Sequence, residues 1–266
     1  MEVHMAHKPT ERVLDILKFL SVTPKGLTLT ELSEASAVPK STLYPIMQTM
    51  LIRKFVSLEK SSLKYKIGIA AFSVGLSYSK NKYILDFIKK IMVNIVSQIN
   101  ETCQMGILDE NNVVYILRED PVKESGFRLV SHIGTRIPAY CTALGKALLS
   151  EYEIEKIKEL YPAGLKAVTK KTVTDFAVLE DQLKTIRKTQ IAKEFEEVTE
   201  FLCCFAVPLI SSGKTFAAIS ISIPSFRANE EKINLATTLL LQAKEQIEAT
   251  SLNIDADSVN NFRLND

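Results

Sequence analysis

The stretch Thr28–Leu51, TLTELSEASAVPKSTLYPIMQTML, holds two short helices joined by a very short turn. Thr28 and Glu31 have the spacing of a capping box, in which each side chain satisfies a backbone N–H at the helix start. Leu29, Leu32 and Ala35 give the first helix an apolar stripe. Ser36-Ala37-Val38 leaves room only for a turn. Pro39 then opens the second helix, to about Leu51, where its missing donor costs little. Leu43, Ile46, Met47 and Met50 face a small core. Lys40, Ser41, Thr42, Tyr44, Gln48 and Thr49 are left to donate to phosphates or base edges. Pro45 removes the bond to the Ser41 carbonyl and is expected to bend the helix near its first turn.

Upstream, Thr10 is placed to cap a helix from Glu11 to about Ser21, with Val13, Leu14, Ile16, Leu17 and Leu20 buried. Downstream, Phe55–Leu58 and Leu63–Ile67 alternate around the turn-like Glu59-Lys60-Ser61-Ser62. A hairpin after such a helix pair is a wing, and Lys60, Lys64 and Lys66 sit where a wing meets phosphate. A solvated hairpin edge would carry the same lysines. Residues 1–67 contain 10 Lys/Arg and 6 Asp/Glu, whereas the remaining 199 contain 23 and 25. The small cationic excess therefore lies with the helix pair, where a polyanion partner would use it.

The whole chain has 266 residues, a net charge of +2, 46% hydrophobic and 24% charged residues, which excludes a long disordered chain. The cysteines Cys103, Cys141, Cys203 and Cys204 have no repeated spacing, so neither a disulfide scaffold nor a zinc cluster reads out of them. Met1–Pro9 lacks a secretory pattern, and no apolar run approaches the roughly 18 residues of a membrane span. A cytoplasmic protein without membrane contact is expected.

After the wing, Ile69 to about Leu76 and Tyr83–Ile99 read as helices broken at Lys80-Asn81-Lys82. Ile84, Phe87, Ile88, Ile91, Ile95 and Ile99 form a stripe that could hold the small head away from a larger domain or pair with a second copy. Beyond it, Met105–Leu108, Val113–Leu117 and Phe127–Ser131 read as strands. Thr142–Leu149, Glu151–Tyr161 and Val178–Thr189 read as helices. Cys204–Ile210 and Thr215–Ile223 form a hairpin, and Glu230–Leu252 closes the domain. The mixture predicts an α+β fold with a mainly antiparallel sheet. In the last strand Phe216, Ala218, Ser220 and Ser222 point one way, and Ala217, Ile219, Ile221 and Ile223 the other. The serine face is open to two readings, solvent or a polar cavity. Tyr140 to Lys146 brings small residues into a helix start, which is either an anion site or a tightly packed cap. Gly145 would allow close backbone approach there.

Catalytic chemistry finds little support. His132 is the only histidine beyond the N-terminal tail, so a histidine metal cluster cannot form. Cys141 with His132 lacks a third orienting group. Gly134 and Gly145 fit no phosphate-loop or dinucleotide pattern.

From Thr10 to Asn253 the chain resembles the IclR family of bacterial transcriptional regulators. The matches are Ala35–Tyr44 in the head, Tyr65-Lys66-Ile67-Gly68 at the end of the wing, and Gly134, Pro138 and Thr142–Leu149 in the larger domain. A fourth runs from Glu197 to Cys204-Phe205-Ala206-Val207-Pro208. The resemblance implies a winged helix-turn-helix domain at 1–67, linker helices at 68–100, a GAF-like effector-binding domain at 101–253 and a flexible tail at 254–266. It further implies a homodimer or homotetramer that binds double-stranded operator DNA, with a small organic acid or sugar-derived effector and no cofactor or metal. The expected role is repressor of a catabolic operon. Carried onto this chain, the effector positions are Thr142, Ala143 and Leu144, then Glu194, Leu202 and Cys204, then Ser220 and Ser222. The chain departs from the family pattern where glycines are usual: at Ala37, around Thr189-Gln190, and at Phe201. Pro45 replaces a common arginine. Glu194 is unfavourable beside a carboxylate ligand unless protonated or turned away, so a neutral hydroxylated ligand stays in view. Two other readings compete: a C-terminal domain that only oligomerises and has an occluded pocket, for which a filled cavity lined by Phe201 and Phe205 would speak, and a Cys141-dependent enzyme fused to the head.

Overall fold

The computed structural model describes residues 7–78, 82–122 and 131–251. The chain divides into two compact units, Met1–Lys80 and Asn81–Asp266. In the first, α1 (Lys8–Ser21), α2 (Leu29–Ser36) and α3 (Lys40–Ile52) precede β1 (Val56–Glu59), β2 (Lys64–Ile67) and α4 (Ile69–Tyr78). Helix α1 starts two residues before Thr10, because Pro9 favours a first turn and His7 takes the cap position. Thr10 therefore lies inside the helix, its hydroxyl 2.9 Å from His7 Nδ1. Leu14 is also corrected: it is exposed, while Ile16 and Leu20 pack inward. The capping box at Thr28 and Glu31 forms in both directions. Leu32, Leu43, Met47, Met50, Val56 and Tyr65 complete the core. Strands β1 and β2 pair antiparallel, and Leu27 bridges to Tyr65 beside them.

The second unit is built on a six-stranded antiparallel sheet. Its strands are β3 (Thr102–Asp109), β4 (Asn112–Glu119), β5 (Arg136–Pro138), β6 (Ala192–Phe195), β7 (Leu202–Ser211) and β8 (Lys214–Pro224), in spatial order β5-β4-β3-β8-β7-β6. One face packs against α5 (Lys82–Ile99) and α9 (Glu230–Ser251). The isoleucine stripe of α5 is buried against its own sheet, with Ile84, Ile88, Ile95 and Ile99 all in that layer. The other face carries α6 (Ala143–Leu149), α7 (Ile154–Leu160) and α8 (Phe176–Thr189). The α+β architecture with an antiparallel sheet is thus as read from the sequence.

Strand β8 mostly keeps its expected alternation. Ile219, Ile221 and Ile223 lie in the α5/α9 layer and Ala218 in the opposite one. Phe216 is the exception, packing with the isoleucines. Leu209 pairs with Ala217 but Ile210 with Thr215, so Phe216 is an extra residue at a bulge, which resets the alternation. Of the strand expected at Phe127–Ser131, residues 127–130 lie outside the described residues, and Ser131 is irregular. The tail at 254–266 also lies outside them.

Candidate functional site

In the head, the second helix of the pair presents its polar residues as expected from its periodicity. Lys40 and Ser41 are exposed on the first turn of α3, Thr42 and Gln48 are half-buried, and Tyr44 and Thr49 are exposed. The helix runs continuously through Pro45. The Thr49 hydroxyl donates to the Pro45 carbonyl at 3.0 Å, so its proton is already engaged. On the wing, Lys60 is exposed at the turn. Lys66 sits 3.0 Å from Glu59 and Lys64 3.9 Å from Glu31. Such half-exposed pairs hold little free energy. The αL turn residue Ala37, at φ 53°, ends α2 and lets α3 follow after two residues.

The second site is assembled by sheet register. Glu194 of β6 pairs with Cys204 of β7, and Cys204 with Ser222 of β8. In the neighbouring row Ala206 pairs with Ser220, and Ser220 with Gln104 of β3. Cross-strand partners share a face, so these two rows set a carboxyl, a thiol, two hydroxyls and an amide on one patch. Helix α6 lies over it. Thr142 caps that helix, its hydroxyl accepting from the Gly145 N–H at 2.8 Å. Gly145 packs on the backbone of Ala139, where any side-chain carbon would collide.

Between sheet and helix lies a cavity that all eight expected effector positions line: Thr142, Ala143, Leu144, Glu194, Leu202, Cys204, Ser220 and Ser222. The serine face is therefore turned to a polar cavity, not to solvent, with Ser220 2% and Ser222 4% exposed. The free space is about 20 Å³, enough for about one water molecule. Neither Phe201 nor Phe205 fills it. Phe201 is exposed, and Phe205 is buried in the opposite layer, edge-on to Phe195 at 5.9 Å.

Hydrogen bonds tie the lining together. Ser222 Oγ donates to Gln104 Oε1 at 3.5 Å and lies 3.3 Å from Cys204 Sγ. Gln104 Nε2 donates to Ser131 Oγ at 2.7 Å. The Thr199 hydroxyl, also at the cavity, is enclosed and makes no bond among the described residues. Gln104, Ser131 and Thr199 are additions to the sequence reading. Gln104 was missed because it precedes the strand read at Met105–Leu108, and only the sheet register sets it beside Ser220. Ser131 and Thr199 left no signal, being brought in by loops.

Burial pushes the Glu194 carboxyl up to about 7, with the nearby Glu197 adding to the effect. The Glu197 backbone N–H donates to Glu194 at 2.8 Å and works against it. Behind this, Lys146 of α6 forms a buried ion pair with Glu197. Glu197 also accepts from the Val173 N–H at 3.1 Å, and its carbonyl accepts from the Thr172 hydroxyl at 2.6 Å.

Cys141 is ill-suited to nucleophilic work. Burial raises its thiol to about 12, opposite to the activation a reactive cysteine needs. Its Sγ donates to the Pro138 carbonyl at 3.2 Å. His132 is exposed and its ring lies 3.5 Å from Arg118. Among the described residues no cluster of metal-binding side chains occurs, and no helix is long and apolar enough to cross a membrane.

Two family models match the chain. One, the IclR helix-turn-helix domain, covers residues 9–59, and the other, the bacterial transcriptional regulator IclR C-terminal, covers 76–249. The chain is 30% identical over 249 residues to the HTH-type transcriptional regulator KdgR of Escherichia coli, covering 91% of this chain and 94% of that protein. It is 31% identical over 247 residues to KdgR of Dickeya chrysanthemi, covering 90% and 80%. An IclR homolog of Microbacterium hydrocarbonoxydans, solved with 4-hydroxybenzoate, shares the fold with a TM-score of 0.80 at 22% identity, over 91% of this chain and 98% of that one. With both parts matched in order and the expected helix pair and sheet in place, the chain belongs to the IclR family of DNA-binding transcriptional regulators.

Proposed function

We propose that the chain is an effector-controlled repressor of an operon for catabolism of a small organic acid or sugar derivative, acting in the cytoplasm by binding alone. The observation that carries this reading is the convergence of all eight expected effector positions on one cavity between α6 and the sheet. The bound 4-hydroxybenzoate of the Microbacterium homolog supports a small hydroxylated acid as the class of effector.

In this reading Lys40, Ser41, Thr42, Tyr44, Gln48 and Thr49 address the major groove, and Lys60, Lys64 and Lys66 hold phosphate beside it. One head spans about one half-site, so two or more heads in a homodimer or homotetramer supply useful specificity on double-stranded operator DNA. The effector is larger than the cavity's free space of about 20 Å³, so it favours a form in which the packing between α6 and the sheet differs. That difference in affinity between two forms is the source of the switch. The segment at 68–100 is the linker that passes the change to the heads.

The test is anisotropy titration of the full chain on DNA from upstream of its own gene, with and without a panel of small hydroxylated acids and sugars. An effector should release DNA from the wild type. Ser222→Val should retain DNA affinity and lose the response at least tenfold. Lys40→Ala should weaken binding to all DNA and flatten its salt dependence. Ser222→Val responding like the wild type would remove the cavity from the mechanism.

A further inference from the structure

Among the described residues that line the cavity, Glu194 alone ordinarily carries a charge at neutral pH. Lys146, the cation behind it, is committed to Glu197 in a buried pair. Among the described residues, the titratable groups around Glu194 are Glu197 on the following loop, Lys146 on α6, Cys203 and Cys204 on β7, Tyr115 on β4, and Cys141 before α6. None of these offers a free cation to an incoming carboxylate. A second anion beside Glu194 in so dry a space is strongly disfavoured, since two carboxylates sharing a site cannot both ionise. One proton held between them removes the repulsion and makes a hydrogen bond.

We propose that Glu194 is the charge-selecting residue of this cavity: a small acid is held there with one proton shared between its carboxyl group and Glu194, and an uncharged hydroxyl-bearing molecule is held without one. The inference rests on the cavity being the effector site. It adds which charge state of a ligand is admitted and which residue decides.

Two measurements on the full chain test it. The first is calorimetry at pH 6 and pH 8 with matched probes: 4-hydroxybenzoate, lactate and gluconate, each against its primary amide. An acid that binds should take up about one proton at pH 8 and bind at least about tenfold more weakly there than at pH 6. The amides should bind within twofold at both. Glu194→Gln should abolish the proton uptake and the pH dependence of the acid. An acid bound equally at both pH values, without proton uptake, overturns the proposal and leaves the effector site standing. No binding by any probe counts against the effector site itself, and the proposal falls with it.

The second measurement needs no ligand. Because the folded carboxyl sits near 7, above its unfolded value of about 4.5, its stabilising contribution is complete below the lower value and is lost as pH rises through the higher one. Urea unfolding should show the wild type losing stability relative to Glu194→Gln between pH 5 and pH 8. A constant difference across that range means Glu194 is ionised throughout and overturns the proposal.

Discussion

Ala37 and Phe201 stand where the family resemblance calls for glycine, and another usual glycine is absent around Thr189-Gln190; Ala37, Gln190 and Phe201 each have a left-handed backbone, at φ 53°, 60° and 62°. A side chain in that region costs about 1–2 kcal/mol, part of which glycine repays through the extra freedom of its unfolded chain. Ala37→Gly and Phe201→Gly should each stabilise the chain by roughly 0.5–1 kcal/mol in urea unfolding, because neither buries a side chain that glycine would lose. A loss of stability in both would show that the strain is relieved elsewhere. Single residues were legible in the sequence when their role was local. The Thr28–Glu31 cap needs three residues of spacing and nothing else. Thr10 misled because a favourable cap type lay beside Pro9, whose preference for a first turn moved the helix start to Lys8.

Among the elements, α6 is short yet wholly enclosed. Its seven residues are all buried, including Lys146 at 0% exposure, whose partner Glu197 belongs to the loop after β6. Breaking a buried pair strands the remaining charge. Lys146→Met should therefore cost about 3–5 kcal/mol in chemical unfolding, and adding Glu197→Gln should recover part of it. Equal stability of the single and double variants would mean that the pair does not hold α6 to that loop. Hydrophobic periodicity exposed α5, α9 and the β7–β8 hairpin, whose buried faces repeat clearly. It could not expose the Lys146–Glu197 link, because 51 residues separate the partners and neither position is apolar. Strand β5 also escaped, since three residues are too few for alternation to register.

At the scale of the whole molecule, each unit has its own core: one cluster centred on Leu43 and Met47, and two layers that sandwich the sheet. A chain beginning at residue 81 should accordingly unfold cooperatively and keep any probe affinity of the full chain, while losing DNA binding. Calorimetry and anisotropy on that fragment check both, and a fragment without a cooperative transition would refute the independence of its core. The cavity in this unit was only half legible. Strands β7 and β8 and helix α6 announced their positions, but β6, which carries Glu194, did not. Whether Ser220 and Ser222 met water or protein depended on helices packed from elsewhere in the chain. One structural detail governs that outcome further. Were Phe216 not accommodated as a surplus residue, counting from the Ser211–Lys214 pair would put Ser220 opposite Phe205 and Ser222 opposite Cys203, with the isoleucines turned inward to the effector positions. The chemistry of the chamber is thus a matter of arithmetic along the strand as much as of which side chains the strand contains: pairing Phe216 in line would invert the lining without changing one residue, whereas deleting it would leave the lining as it is.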